Sequence, residues 1–535
     1  LTVTLSHEAM GALYRLAEPQ DAEPGPTKPS VPFRLAEPRV PEWRTLSKQA
    51  EDLRREGQTD HAREAYEQAL QLAEGALGPD HSDVADILNS LGNLYYHQDR
   101  YAEAEPFYIR ALAIREKALG PDDLDLAWSF NNLGYNYYYQ DRYAEAEPLY
   151  KRALEIRERA LGPDHADVAS VLNGLGNLYY DQDRYAEAEP LYKRALAIRE
   201  KALGPDDLDL AWSLNNLGNN YYYQLKYAEA EPLYKRALAI REKALGPDHL
   251  DVARSLYNLG KSYYYQDRHA EAEPLYKRAL EIRQRALGPD HADVAGILNS
   301  LGHIYYDQKQ YAEAETLYRR ALETWEKALG PDDLDVAVGL SNLGMVHSDQ
   351  FRYAEAEPLY ARALAIREKA LGPDHLNVAK SLGKLGDLFR YQGRYKEAEP
   401  IYTRALAIRE KALGPDHPDV ASILNSLAEL YSLQGRYADA QPLFERALAV
   451  REKALGPDHR DVAESLNSLA SLYRSLGRIA EAEPLVRRAL TIKEKAFGPD
   501  HPELASVLDG LAGLYHAQGR YAEAVPLVRR ALAIK

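Results

Sequence analysis

Apolar residues in this chain fall into two alternating kinds of stretch, each spaced at three and four residues. Residues 166–181 carry Val168, Val171, Leu172, Leu175, Leu178 and Tyr179 at that spacing, which predicts a helix with one buried stripe. Residues 186–203 carry Ala188, Leu191, Tyr192, Ala195, Leu196 and Ile198, which predicts a second helix with its own stripe. Gly176 is small where that second helix must come close. Pro190 is expected to be tolerated early in the second helix, where amides lack intrahelical partners. Gly204 suits the left-handed position that ends a helix, and Pro205 keeps the chain from continuing it. In two later loops, His417-Pro418 and His501-Pro502 place proline at the favoured first helical position.

The same pair of stretches then repeats. The Gly-Pro-Asp that closes the second stretch has its glycine at Gly78, Gly120, Gly162, Gly204, Gly246, Gly288, Gly330, Gly372, Gly414, Gly456 and Gly498, a step of 42 residues each time. A fixed period between about 20 and 50 residues marks stacked repeats that bury their stripes on one another. Residues 79–535 are read as eleven such repeats. Residues 41–78, with helices over 42–56 and 61–77, read as a divergent, more charged first pair of the kind that caps an array. The total is about twelve pairs and 24 helices. Residues 1–40 are not repeat. Pro19, Pro24, Pro26, Pro29, Pro32 and Pro38 forbid regular helix and favour an extended, polyproline-like arm, expected to dock on its own array or on a neighbouring molecule.

Composition narrows the function. A formal net charge of −16 argues against a nucleic-acid partner, because phosphate binding needs a basic stripe. There is no cysteine, which excludes disulfides, thiol catalysis and cysteine metal sites. No apolar run approaches the roughly 18 residues that span a bilayer. The chain opens on Leu1 rather than Met, so its native start is expected to lie upstream, and a cytoplasmic and an exported protein are both compatible with it. Eight loop histidines (His81, His165, His249, His291, His375, His417, His459 and His501) could suggest a metal ladder. They come one per repeat, at helix-packing separations of about 10 Å, too far apart to share ligand bonds of about 2 Å. Asp123, Asp207 and Asp333 take their place in three loops, which points to helix capping. No cofactor is expected, and no nucleophile–base pair or phosphate-cradling loop stands out, so the chain reads as a non-enzyme.

Leu175-Gly176-x-x-Tyr179, then Ala188-x-x-x-Tyr192 and Ala195, resembles the tetratricopeptide repeat (TPR). The 42-residue form, with Leu-Asn-x-Leu-Gly and Ala-Leu-x-Ile-Arg-Glu-Lys-Ala-Leu-Gly-Pro-Asp-His, looks like the repeats of kinesin light chains and their bacterial relatives over residues 60–535. The resemblance implies an all-α, right-handed superhelical solenoid, with first helices lining a concave groove and second helices on the convex side. It also implies groove contacts for the Leu-Asn-x-Leu asparagines: Asn89, Asn131, Asn173, Asn215, Asn299, Asn425 and Asn467. Each could offer a donor and an acceptor to an extended peptide. Alternatively, these amides bond within the array.

Aromatics are expected on the same wall: Trp128, Tyr135, Tyr138 and Tyr139, then Trp212, Tyr222 and Tyr223, then Tyr257, Tyr264 and Tyr265. Exposed Tyr/Trp clusters are typical interface anchors, and packing between repeats is the competing reading. Lys380, Lys384, Arg390 and Arg474 replace them in the C-terminal half, so the groove should not bind uniformly. The first functional expectation is a non-catalytic scaffold that binds a peptide or protein segment in the groove. The alternative is a structural subunit that assembles head-to-tail into a filament or oligomer, through the N-terminal arm and an uncapped C-terminal repeat.

Overall fold

The computed structural model describes residues 40–534, so the expectation for the arm over residues 1–39 lies outside the described residues. The described residues form two compact units, 40–156 and 157–534. In the first, α1 (Glu42–Arg55) pairs with α2 (Thr59–Leu77) and α3 (Ser82–Tyr96) with α4 (Tyr101–Ala118), followed by α5 (Leu124–Tyr138). The boundary falls inside α6 (Tyr143–Leu161). The second unit continues with α7 (Ala166–Asp181) and α8 (Tyr185–Ala202), α9 (Leu208–Tyr223) and α10 (Tyr227–Leu245), α11 (Leu250–Tyr264) and α12 (His269–Leu287). Next come α13 (Ala292–Asp307) and α14 (Tyr311–Leu329), α15 (Leu334–Asp349) and α16 (Tyr353–Leu371), α17 (Leu376–Tyr391) and α18 (Tyr395–Leu413). The last are α19 (Pro418–Leu433) and α20 (Tyr437–Leu455), α21 (Arg460–Ser475) and α22 (Ile479–Phe497), a 3-10 turn over Pro502–Leu504, α23 (Ala505–Ala517) and α24 (Tyr521–Ile534). All regular structure among the described residues is helical.

Within a pair, a glycine lies under a tyrosine ring. A Cβ built on Gly176 would stand 2.7 Å from Tyr192, on Gly218 2.8 Å from Tyr234, and on Gly302 2.6 Å from Tyr318. Later pairs carry Ala428, Ala470 and Ala512 instead, and there the residue sixteen positions on is Phe444, Val486 or Val528. The extra methyl and the smaller partner occur together, as close packing requires. Between pairs in the second unit, first helices of neighbouring pairs touch directly, as α7 with α9 and α9 with α11. Each second helix of this unit also packs on the first helix that follows it. Ionic struts cross these joints. Between α10 and α12, Arg268 pairs with Glu231 at 2.6 Å, Arg278 with Glu242 at 2.5 Å and Arg285 with Asp248 at 3.1 Å. Deeper in, Arg451 is buried and donates to the Asp461 carbonyl at 2.8 Å and to Ser465 Oγ at 2.9 Å.

The loop histidines are helix caps. Nδ1 of His81, His165, His249 and His417 accepts from the backbone N–H two residues on, at 3.1–3.2 Å. Asp123, Asp207 and Asp333 do the same at 2.8 Å. Two local expectations need correction. Gly204 is not left-handed: α8 stops at Ala202 with Leu203 extended (φ −109°), whereas Gly246, after α10, has φ 84°. Pro190 stands at the sixth residue of α8, beyond the first turn. Its missing N–H leaves the Ala186 carbonyl without a helical donor, and Ala186 is exposed, so water can serve it.

The turn inside each pair needs a left-handed residue. Asp183 (φ 58°) fills that place after α7, Leu225 (φ 60°) after α9 and Phe351 (φ 61°) after α15, while Gly393, Gly435, Gly477 and Gly519 fill it later at φ 72–75°.

Candidate functional site

The first helices carry the candidate residues, and their cross-repeat neighbours follow a step of 43 rather than 42. In the first unit Asn132 Nδ2 donates to Asn89 Oδ1 at 2.9 Å. In the second, Asn258 donates to Asn215 at 3.0 Å, Asn342 to Asn299 at 2.7 Å, and Asn425 to Ser468 at 3.3 Å. Asn89, Asn215, Asn299 and Asn425 therefore bond along the wall they were expected to present. Asn131, Asn173 and Asn215 are buried, while Asn89, Asn299, Asn425 and Asn467 are half-buried. Asn173 also donates to Ser213 Oγ at 3.3 Å. The side-chain carbonyls of Asn131, Asn173 and Asn425 are buried without a hydrogen-bond partner.

The aromatic candidates divide by position. Trp128 and Trp212 lie mid-helix on the first-helix wall and Tyr139, Tyr223 and Tyr265 at its C-terminal edge; all five are between 44% and 52% exposed. The three tyrosines sit where a first helix turns into its second. Tyr139 stacks on Tyr101 at 5.3 Å, Tyr223 on Tyr185 at 5.8 Å and Tyr265 on Tyr227 at 5.3 Å. Tyr138, Tyr222 and Tyr264 are half-buried beside them, with Tyr222 and Tyr265 at 5.5 Å. Tyr135 meets the consensus Tyr150 edge-on at 5.4 Å, and Tyr257 donates to or accepts from Ser300 at 3.1 Å. Over Trp212 lie the guanidinium groups of Arg254 at 5.3 Å and Arg241 at 5.5 Å.

A column that sequence reasoning missed stands one helical turn after the asparagines. Its residues accept from the consensus tyrosine fifteen positions on: Tyr108 to Asn93 at 2.8 Å, Tyr192 to Asn177 at 2.7 Å, Tyr234 to Asn219 at 2.8 Å and Tyr402 to Asp387 at 2.6 Å. His303 Nδ1 meets Tyr318 at 2.8 Å. The constant spacing of fifteen was the available signal. At Lys261 the column breaks: an ammonium takes the acceptor's place in the sequence and has no lone pair to accept with. Lys261, with Tyr222, Tyr257, Tyr264, Tyr265, Tyr276, Asn299, Ser300 and His303, lines a chamber of about 230 Å³. Burial pushes the Lys261 ammonium and the His303 imidazolium below their ordinary values, and the Tyr276 phenol above its own.

Farther along, the wall turns polar. Arg390, Glu429, Ser432, Leu433, Phe444, Asn467, Ser468, Ser471, Leu472 and Ser475 line a trough of about 420 Å³, and Asn467 and Ser471 also line a second hollow of about 270 Å³ with Arg474, Ser506 and Asp509. Arg390 bridges Glu429 at 3.2 Å and Asp387 at 3.5 Å. Burial raises the Glu429 carboxyl against the pull of Arg390. Lys380, Lys384 and Arg474 are exposed. Among the described residues, no helix is long and apolar enough to cross a membrane.

Stacked helical hairpins that place variable polar and aromatic residues on first helices define a repeat-type interaction scaffold. The tetratricopeptide-repeat profile matches in overlapping windows from 44–117 to 461–535, and the chain belongs to that family. No curated protein matches it. Among solved structures, it is similar to a Podosopora anserina chain assigned to kinesin light chains, with nearly identical TPR-like repeats. That match has 22% identity and a TM-score of 0.36, covering 38% of this chain and 98% of that one. BtubC (BKLC) from P. vanneervenii is 24% identical with a TM-score of 0.36, over 46% of this chain and 91% of that one. The apo form of RapI is 17% identical with a TM-score of 0.43, over 53% and 98%.

Proposed function

We infer that the chain is a protein-interaction scaffold that takes an extended peptide segment on its first-helix wall. The observation that carries this reading is the continuous polar trough in the second unit, where two hollows of about 420 and 270 Å³ share Asn467 and Ser471. Hydroxyls and amides there offer both donors and acceptors, as a peptide backbone requires, and the rim charges Arg390, Glu429 and Arg474 select its side chains. The partly exposed Trp128, Trp212, Tyr139, Tyr223 and Tyr265 supply apolar anchors of the kind that dominate interfaces.

Selection of displayed random peptides against the full chain tests this. Peptides so obtained should lose at least tenfold affinity on Ser471→Trp, which fills the trough, and keep it on Thr403→Trp, at an exposed position of α18. Equal affinity for both variants would refute the reading. A second reading, self-association, draws on the exposed Val525, Val528 and Leu532 of α24. Mass by light scattering should then rise with concentration in the full chain and stay constant in Val528→Glu.

A further inference from the structure

Lys261 differs from the lysines nearest to it in the chain. Lys193, Lys226, Lys235 and Lys277, on the same stretch of chain, each pair with a glutamate at 2.6–3.3 Å. Lys261 makes no ion pair among the described residues, although it is half-buried and its Nζ stands 4.4 Å from the Tyr222 ring and 5.6 Å from the Tyr257 ring. The residues that line its chamber include no carboxylate, although the lining Tyr264 hydroxyl donates to Asp307 at 2.6 Å.

The position itself sharpens the point. Elsewhere in this column Asn93, Asn177, Asn219, His303 and Asp387 meet the hydroxyl of the tyrosine fifteen residues on. Lys261 keeps that tyrosine, Tyr276, and replaces the acceptor with an ammonium, which can donate to the phenol oxygen but gives the Tyr276 proton nowhere to go. Tyr276 makes no hydrogen bond to another described residue. The Tyr150 hydroxyl, fifteen residues after Tyr135, also has no hydrogen-bond partner, and there no cation is introduced. At 261 the mismatch comes with a positive charge and an open volume of about 230 Å³. A half-buried ammonium without an ion pair is costly, and the chamber lining itself offers it no negatively charged acceptor.

We propose that this chamber is an oxyanion site: a carboxylate or phosphate group enters it, an oxygen accepts from the Lys261 ammonium, and Tyr276 supplies a further donor. Ser300 and Tyr257, which bond each other at 3.1 Å, and Asn299 line the remaining space, with Tyr222 and the exposed Tyr265 beside them. The volume admits a group of acetate or phosphate size. The site lies on the wall to which peptide binding is assigned above. Small anions test it without any peptide, so either reading can fail alone.

The experiment is ligand-observed NMR on the full chain, with inorganic phosphate followed by phosphorus and labelled acetate by carbon, at constant ionic strength. Saturable line broadening is expected with one of the two, at roughly millimolar affinity for so small a ligand. A response to acetate alone identifies a carboxylate site, and a response to phosphate alone a phosphate site. The deciding variant is Lys261→Asn, which restores the acceptor that Asn177 and Asn219 provide. It should abolish the broadening at least tenfold while leaving the circular dichroism unchanged and the melting temperature equal or higher. Broadening that survives in Lys261→Asn, or no broadening by either anion in the parent chain, overturns the proposal.

Discussion

Replacing Gly218 by alanine should change sign with its partner. In the parent chain the new Cβ would stand 2.8 Å from Tyr234 Cε1, 3.0 Å from Cδ1 and 3.1 Å from Cζ. The ring cannot swing aside, because Tyr234 is 1% exposed and its hydroxyl is tied to Asn219 at 2.8 Å. Overpacking of that kind costs about 1–3 kcal/mol. Against it stands the better helix propensity of alanine, about 0.8–1 kcal/mol over glycine. The net expectation is a loss of up to about 2 kcal/mol. In a Tyr234→Val background the clash disappears and only the propensity remains, so the same substitution should stabilise by about 0.8–1 kcal/mol. The chain already contains that second combination, as Ala470 with Val486. A stack of repeats does not unfold in one step, so amide exchange across α9 and α10 is the suitable readout. Protection should fall by up to roughly thirty-fold in Gly218→Ala. It should rise when the substitution is added to Tyr234→Val. The same direction of change in both backgrounds would refute the assignment of this glycine to ring clearance.

Leu225→Asn should stabilise slightly, by about 0.5 kcal/mol. Leucine there is 72% exposed and held at φ 60°, where asparagine is more at ease; lower protection of α9 and α10 would contradict this. Glu189 provides a pH test. Burial raises its carboxyl, but hydrogen bonds from Lys193, Gln224 and Lys226 outweigh that and bring it down to about 2. Its folded-state value is depressed, so its contribution is present above about pH 4.5 and is lost as pH falls through about 2. Glu189→Gln should therefore lower stability by about 1 kcal/mol at pH 7, with the difference closing toward pH 2 in paired melts. Arg451→Met should cost about 2–3 kcal/mol because it strips two buried hydrogen bonds, whereas Lys243→Ala, at an exposed pair with Asp206, should cost less than about 0.5 kcal/mol. Equal losses would show that depth does not rank these struts.

The helices were legible in the sequence almost to the residue. The pattern placed one over 166–181 and the next over 186–203, and they run Ala166–Asp181 and Tyr185–Ala202. Apolar periodicity reports which face each helix buries, and that is decided locally. The family followed from the same residues. The glycine beneath the second helix was legible too, because only the smallest side chain tolerates a ring at 2.7 Å. What the repeat could not disclose was which copies touch. A period of 42 says that Asn89 and Asn131 are equivalent; it does not say that Asn89 meets Asn132.

That single-residue offset decides how the candidate wall works. Were contacts at 42, each column would meet itself, and a change in one repeat would be felt by its own kind. With contacts at 43, the position after an asparagine reaches back to the asparagine of the preceding pair where it too is an amide of the right reach, as Asn258 does to Asn215 and Asn342 to Asn299. A substitution at one site thus alters the surface offered by its neighbour. Tyr222 and Tyr265 follow the same step at 5.5 Å, and so do Tyr264 and Asp307 at 2.6 Å. Near-identical repeats can therefore present different chemistry with few changes, since each altered residue is read twice, once by solvent and once by the next helix. Lys261 extends the point, because one substitution in the capping column both frees Tyr276 and introduces a charge. The specificity of such an array resides less in its consensus than in those few positions where a column is interrupted.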